Sequence, residues 1–191
     1  MKIFVVTKKQ IMLCLVMAVV LTFTCVGAGI TMANSDRKLP IYCVETDKKQ
    51  VAISFDAAWG NDDTEQLIDI LKEYDVPATF FVVGSWVDKY PESVKQLHDA
   101  GHQVHNHSNT HPYMTQLSKE AMKNELDSCN DKIEKVTGVR PTLFRPPYGD
   151  YDNAVVEATE ENKMYPIQWS VDTIDIKVMT NEYHCAIMSI V

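Results

Sequence analysis

The chain has 191 residues, 46% of them hydrophobic, which suits one ordinary core in a single domain. The net charge is −8; Lys2, Lys8 and Lys9 are the only charged side chains before Asp36, so the remainder stands at −11. An acidic chain without clustered Lys and Arg excludes nucleic acid as the main partner.

Ile11 to Met32 is apolar or small throughout and follows three lysines. As a helix it would be about 33 Å long, enough to cross a bilayer, and the preceding lysines favour an amino terminus inside. Residues 1–33 therefore read as a signal-anchor or signal peptide, which places the rest of the chain outside the cytoplasm, membrane-anchored or secreted. Thr31-Met32-Ala33 is a poor cleavage site and favours a retained anchor. Residues 34–50 read as linker and domain entry, polar from Asn34 to Pro40.

From Val51 the pattern alternates strand and helix. Val51 to Phe55 is a β-branched strand ending at Asp56, and Asp63 to Tyr74 has helical spacing behind a capping Asp62 or Asp63. Ala78 to Val83 is a second strand, Glu92 to Ala100 a second helix and Gly101 to His105 a third strand. Ser118 caps a long helix whose apolar stripe is Met122, Leu126, Cys129, Ile133 and Val136, and Gly138 stops it. Thr142 to Phe144, Asn153 to Asn162 and Tyr165 to Ser170 continue as strand, helix and strand. This order predicts an α/β fold of barrel type, with the site at the carboxyl ends of the strands. Cys43, Cys129 and Cys185 show no C-x-x-C spacing, which argues against a zinc–thiolate site, and Cys129 reads as a buried free thiol.

The polar residues at the strand ends carry the chemistry. His107 and His111 lie in a segment that also holds His102 and His105, and neutral imidazole is a common ligand of divalent ions; a solvated polar loop is the alternative. His102 and His105, at alternate strand positions, read as structural. Asp56 ends an apolar strand, where a carboxylate either meets a cation, acts in a site or caps the next loop. Arg145 precedes Pro146-Pro147-Tyr148-Gly149, so its guanidinium is aimed by a stiff backbone; otherwise this stretch is a surface turn. Trp59, Tyr148 and Trp169 have faces suited to sugar rings or to packing.

Phe55-Asp56, Gly101-His102 through His107-Ser108-Asn109-Thr110-His111-Pro112, and Phe144-Arg145-Pro146-Pro147-Tyr148-Gly149 together resemble the polysaccharide deacetylase family of chitin, peptidoglycan and chitooligosaccharide deacetylases. The resemblance spans roughly Val51 to Lys177, and Ser54 to Gly60 looks most like membrane-anchored deacetylases of spore-forming bacteria, some acting in sporulation. It implies a distorted (β/α) barrel over residues 51–177, incomplete at the carboxyl end. It further implies a divalent metal, zinc first and cobalt or another ion next, held by His107 and His111. In the same pattern Asp56 is the general base and Arg145 its orienting partner, while Tyr148, Pro146 and Trp59 line the substrate site. The expected partners are an acetylated amino-sugar polysaccharide such as peptidoglycan and, through residues 1–33, the bacterial membrane.

The chain departs from that pattern in three places. Ala57 stands where the family has a second Asp that ligates the metal, with Asp62 or Asp63 as possible substitutes. Asp172-Thr173-Ile174-Asp175 matches a further motif, but Ile176 replaces its tryptophan. Residues 178–191 form an atypical tail without the family's Leu-x-His; His184 has Glu182 two positions earlier. The sequence therefore leads to the expectation of a shortened barrel with an open sheet edge. Two readings follow: a metal-dependent hydrolase that removes N-acetyl groups from amino sugars, impaired in this chain, and a non-catalytic carbohydrate-binding or scaffold protein on the same fold.

Overall fold

The computed structural model describes residues 37–47 and 50–172, the backbone of residues 183–190, and single positions 9, 12 and 17. The chain divides into two units, Met1–Arg37 and Lys38–Val191. Apart from those three positions, the expected anchor lies outside the described residues, as do Thr173 to Lys177. Among the described residues no helix is long and apolar enough to cross a membrane.

Strand β1 is Cys43–Val44, and β2 (Gln50–Ala57) extends the predicted strand at both ends. Strands β3 (Ala78–Val82), β4 (Gln103–Asn106), β5 (Leu143–Phe144) and β6 (Tyr165–Pro166) follow, each parallel to its predecessor. From β2 to β6, these five strands curl into a half-barrel. Five helices connect them: α1 (Thr64–Glu73), α2 (Gly84–Lys89), α3 (Pro91–Asp99), α4 (Lys119–Thr137) and α5 (Asn153–Glu161). The sequence predicts neither α2 nor its separation from α3. Pro91 sets that boundary, because proline suits a first helical position and cannot continue the hydrogen bonding of a preceding helix.

Local chemistry explains the helix ends. Ser118 Oγ accepts from Ala121 N at 3.2 Å to open α4, and Gly138 closes it at φ 76°, a left-handed conformation that glycine adopts without a Cβ clash. Asp152 Oδ1 accepts from Val155 N at 2.9 Å at the start of α5. Asp63 precedes α1, but its carbonyl rather than its carboxylate engages the first turn, accepting from Leu67 N at 2.9 Å.

Strand alternation divides the buried residues between two faces. Phe55, Ala57, Phe80, Val82 and Val104 join Leu71, Trp86, Val94, Leu97, Cys129 and Ile133 in the main apolar cluster. A second cluster joins Met122 and Leu126 of α4 to Val155 and Ala158 of α5, with Phe144 and Met164. Cys129 donates to the Val82 carbonyl at 3.3 Å, and burial pushes its thiol up to about 12, as expected for an inert core cysteine. Ser54 and Asp56 alternate with Phe55 and Ala57, and Asp56, Phe81 and His105 fall in one row across β2, β3 and β4.

The far edge of β2 differs from the expectation of an open edge. Strand β8 (Tyr183–Ile190) pairs antiparallel with all of β2, from Gln50 opposite Ile190 to Ala57 opposite Tyr183. It also pairs with β1 and with β7 (Val171–Asp172). An unpaired row of backbone donors and acceptors is a template for any β-prone segment, and the Tyr- and Ile-containing tail supplies one. At the opposite end, Ile41 forms a parallel bridge with Ile167, its N–H donating to Pro166 O at 2.8 Å and its carbonyl accepting from Gln168 N at 2.9 Å.

Leu126 is fully buried where α4 meets the second cluster. Leu126→Ala is expected to lower the unfolding free energy by about 2–5 kcal/mol, seen as a lower urea midpoint at unchanged slope. A midpoint equal to that of the parent would show that this cluster is not a structural core.

Candidate functional site

Arg145 follows β5 and is fully buried. Its Nη1 donates to Asp56 Oδ1 and its Nη2 to Ser54 Oγ, each at 2.7 Å, while the guanidinium lies 4.0 Å from the centroid of the Phe81 ring. The Asp56 carboxylate is thus held by a cation that is itself clamped on two sides. Ser54 was not singled out as a site residue in the sequence; its position two residues before Asp56, on the same strand face, was the available signal. His107 Nδ1 donates to the Arg145 carbonyl at 2.7 Å, which turns Nε2 towards Asp56, 3.8 Å from its Oδ2. Asp56, Arg145 and His107, distant in sequence, are therefore in one contact group.

The loop from His107 to His111 has two residues in left-handed conformation, Ser108 at φ 67° and His111 at φ 62°. Each costs on the order of 1–2 kcal/mol for a residue with a Cβ. Hydrogen bonds from several elements offset that cost. Glu125 of α4 accepts from Asn109 N, Thr110 N and Thr110 Oγ1, all at 2.8 Å. Ser108 Oγ accepts from His111 N at 3.0 Å, and Asn106 Oδ1 accepts from Ser108 N at 2.7 Å. At the start of α2, Gly84 N and Ser85 N donate to the carbonyls of Ser108 and Asn109, each at 2.9 Å. Glycine at position 84 leaves room for Asn109: a Cβ there would fall 2.4 Å from Asn109 Oδ1 and 3.1 Å from Asn109 Cα, so a larger residue would displace the Asn109 side chain. Glu125 lies outside the motifs, and Asn106, within the histidine segment, carries no signal of its own; nothing in their positions on helix and strand distinguishes them from ordinary polar residues.

A cavity of about 270 Å³ is lined by Asp56, Ala58, Trp59, His107, His111, Tyr148, Trp169 and Asp172. It contains seven of the residues named from sequence: Asp56, His107, His111, Trp59, Tyr148, Trp169 and, from the further motif, Asp172. Arg145 acts from beneath it, and Pro146 is buried and absent from the lining. The His111 ring is surrounded by aromatic neighbours, with centroid distances of 5.5 Å to Trp59, 5.0 Å to His107 and 4.6 Å to Tyr148. Burial, reinforced by neighbouring His107, lowers the pKa of His111 to about 4, so its imidazole is neutral at neutral pH. His105, behind the site, is likewise lowered to about 4 by burial, and its Nδ1 has no hydrogen-bond partner among the described residues.

A divalent metal would require donors that this arrangement does not supply in full. His107 and His111 offer two imidazoles, whereas a catalytic zinc site takes about three protein ligands. Ala57 is fully buried in the apolar cluster and brings no carboxylate, and neither Asp62 nor Asp63 lines the cavity. Among the described residues no three His, Cys, Asp or Glu side chains form a metal-holding group. The residues present do not fit a complete catalytic metal centre.

The family described as polysaccharide deacetylase matches residues 44–167. The chain is 43% identical over 135 residues to the peptidoglycan-N-acetylmuramic acid deacetylase PdaC of Bacillus subtilis, a match covering 70% of this chain and 28% of that protein. Among solved structures, it is similar to a CE4 family pseudoenzyme from Bacillus anthracis at 36% identity and a TM-score of 0.66, covering 75% of this chain and 49% of that one. A mutant of the same pseudoenzyme, with restored enzymatic activity, matches at 37% identity and a TM-score of 0.66, covering 75% of this chain and 50% of that one. The chain spans about half or less of the length of the curated relatives it matches.

The depressed histidines give the fold an acid-sensitive window. Their folded pKa of about 4 lies below the unfolded value of about 6.5, so the unfolded chain takes up protons first as pH falls. Stability is full above about pH 6.5 and falls towards pH 4, by up to about 1.4 kcal/mol per pH unit for the buried His105 and by less for the partly exposed His111. Urea midpoints between pH 7 and pH 5 should show a shallower decline for His105→Leu than for the parent. Equal slopes would mean that His105 is not held neutral by the fold.

Proposed function

Because the chain belongs to the polysaccharide deacetylase family, we propose that its pocket binds an acetylated amino-sugar glycan of the cell wall, such as peptidoglycan, while its hydrolytic centre is incomplete. The observation that carries this reading is Ala57: fully buried among Phe55, Val82 and Val83, it stands where the family pattern has a metal-binding carboxylate. Exposed Trp59 and Tyr148 beside Trp169 and His111 still offer a face suited to sugar rings. Similarity to a relative described as a pseudoenzyme supports the same reading. The protein would then act outside the cytoplasm, secreted or held at the membrane by residues 1–33.

The second reading is N-deacetylation of the same glycan, releasing acetate and leaving a free amine. The Asp56–Arg145 pair favours it. A carboxylate hydrogen-bonded by a buried guanidinium, with His107 Nε2 at 3.8 Å from its other oxygen, is placed to accept a proton from water. That group needs an electrophilic partner to stabilise the developing oxyanion, and two imidazoles without a third ligand are a weak holder for a metal in that role.

Calorimetric titration of the full chain with N-acetylated peptidoglycan fragments, with and without a chelator, separates the readings. The expected result is binding unchanged by the chelator and no acetate release; stoichiometric zinc lost in His107→Ala and His111→Ala, together with acetate release by the parent, would overturn the proposal. Ala57→Asp supplies a complementary measurement. A carboxylate in that apolar cluster is expected to cost about 1–3 kcal/mol without metal, and zinc should raise the melting temperature of the variant but not of the parent. An equal zinc-induced rise in both proteins would show that the parent site needs no third ligand.

A further inference from the structure

We propose that the entry strap, residues 38–44, belongs to the ligand site: it holds the segment that carries Trp169, which makes Tyr42 and Ser170 positioning residues for one wall of the pocket. The consequence for glycan binding rests on the carbohydrate-binding reading above; the support of the wall does not. Both Trp169 and the strap before Val44 lie outside residues 44–167, the part matched to the family.

Trp169 lines the cavity at a point where β5 has turned away. Ile167 N donates to Phe144 O at 2.7 Å, but Arg145, next along, has its backbone engaged on the β4 side: its N–H donates to Asn106 O at 3.0 Å and its carbonyl accepts from His107 Nδ1 at 2.7 Å. The backbone after Ile167 therefore needs other partners, and the strap supplies them. Ile41 N donates to Pro166 O at 2.8 Å, Ile41 O accepts from Gln168 N at 2.9 Å, and Tyr42 O accepts from Ser170 Oγ at 2.8 Å. The strap thus meets Pro166, Gln168 and Ser170 in turn, as a parallel neighbour does, and Trp169 is bracketed by the last two contacts. On another side the Trp169 ring lies against Gly149, where a Cβ would fall 3.1 Å from its Cη2.

The strap is itself pinned at two further points. Lys38 N donates to Asn153 Oδ1 at 3.0 Å, and Lys38 Nζ pairs with Glu157 and Glu160 of α5, each at 3.3 Å. The hydroxyls of Tyr42 and Tyr151 share a hydrogen bond of 2.9 Å, which joins the strap to the loop that carries Tyr148. A wall fixed before the ligand arrives leaves little ordering to be done on binding, so a loosened strap weakens binding through faster release.

The test follows Trp169 directly, by fluorine NMR of the full chain carrying fluorotryptophan. Trp169→Phe assigns its resonance, and Trp86, buried in the main apolar cluster, serves as internal reference. In the double variant Tyr42→Phe, Ser170→Ala the Trp169 resonance should move towards its position in the unfolded chain while the Trp86 resonance stays in place. Calorimetry on the same variant should show N-acetylated peptidoglycan fragments bound about three- to tenfold more weakly. Leu126→Ala separates positioning from a general weakening of the fold: it lowers stability from the second cluster and should leave the Trp169 resonance and the affinity unchanged. An unmoved Trp169 resonance in the double variant, a moved one at unchanged affinity, or an equal shift in Leu126→Ala would overturn the inference and leave the carbohydrate-binding reading standing. Failure of the parent to bind any fragment would overturn that reading instead, and a displaced Trp169 resonance in the double variant would still uphold the strap as the support of its wall.

Discussion

The buried pair between Arg145 and Asp56 is the constraint around which the site is arranged. Burying a guanidinium in an apolar barrel costs several kcal/mol unless its donors are matched. Here two donors meet Asp56 and Ser54 and the ring of Phe81 receives the face of the cation, while Nε is buried without a hydrogen-bond partner among the described residues, so the match is partial. The backbone of the same residue is equally engaged: its N–H donates to the Asn106 carbonyl at 3.0 Å, and its carbonyl accepts from His107. One residue therefore connects the end of β2, the end of β4 and the histidine loop. Removing either charge would leave the other buried and unmatched, so this pair serves folding and site geometry together.

The histidine loop depends on a different set of supports. Its left-handed residues would relax if released, and the bonds from Glu125, Asn106, Ser108, Gly84 and Ser85 prevent that. Lys132 adds a bond to Asn109 Oδ1 at 2.7 Å and pairs with Asp88 at 2.6 Å, linking α4, α2 and the loop. These supports come from the protein itself, so the placement of His107 and His111 is built without a bound ion. The loss of a ligand at position 57 can therefore leave the shape of the pocket intact.

Much of this arrangement was legible in the sequence because it depends on local rules. Ser118 and Gly138 mark the ends of α4, and the Met122, Leu126, Cys129 and Ile133 stripe is its buried face. The alternation of short apolar strands with helices gave the parallel sheet, and the strand-end positions of Asp56, His107 and Arg145 gave the core of the site. Non-local features were hidden. Helix α2 is too short to show a period, and the pairing of β8 with β2 is a tertiary choice that its own residues do not announce. Glu125 lies on a helix fourteen residues after His111, and only the fold reveals that its carboxylate reaches the loop. Pro146 was named with its motif, yet its stiff ring sits buried while Tyr148, two residues later, turns out to the surface.

The division between a built binding face and an incomplete centre follows from where each part is rooted. The aromatic face belongs to loops after β2, β4 and β5, whose conformations are fixed by Trp86 Nε1 donating to Gly60 O at 2.6 Å, by Glu125, and by the Thr115–Asp150 bonds. None of these contacts passes through position 57. That position instead belongs to the apolar layer between sheet and helices, where alanine packs without a buried charge and its carbonyl accepts from Val83 N at 3.0 Å. Alanine there relieves the sheet of a carboxylate that only a metal would compensate. On the reading proposed above, alanine at position 57 favours the fold and leaves the aromatic face undisturbed, so the capacity to bind a glycan is separable from the capacity to hold a metal.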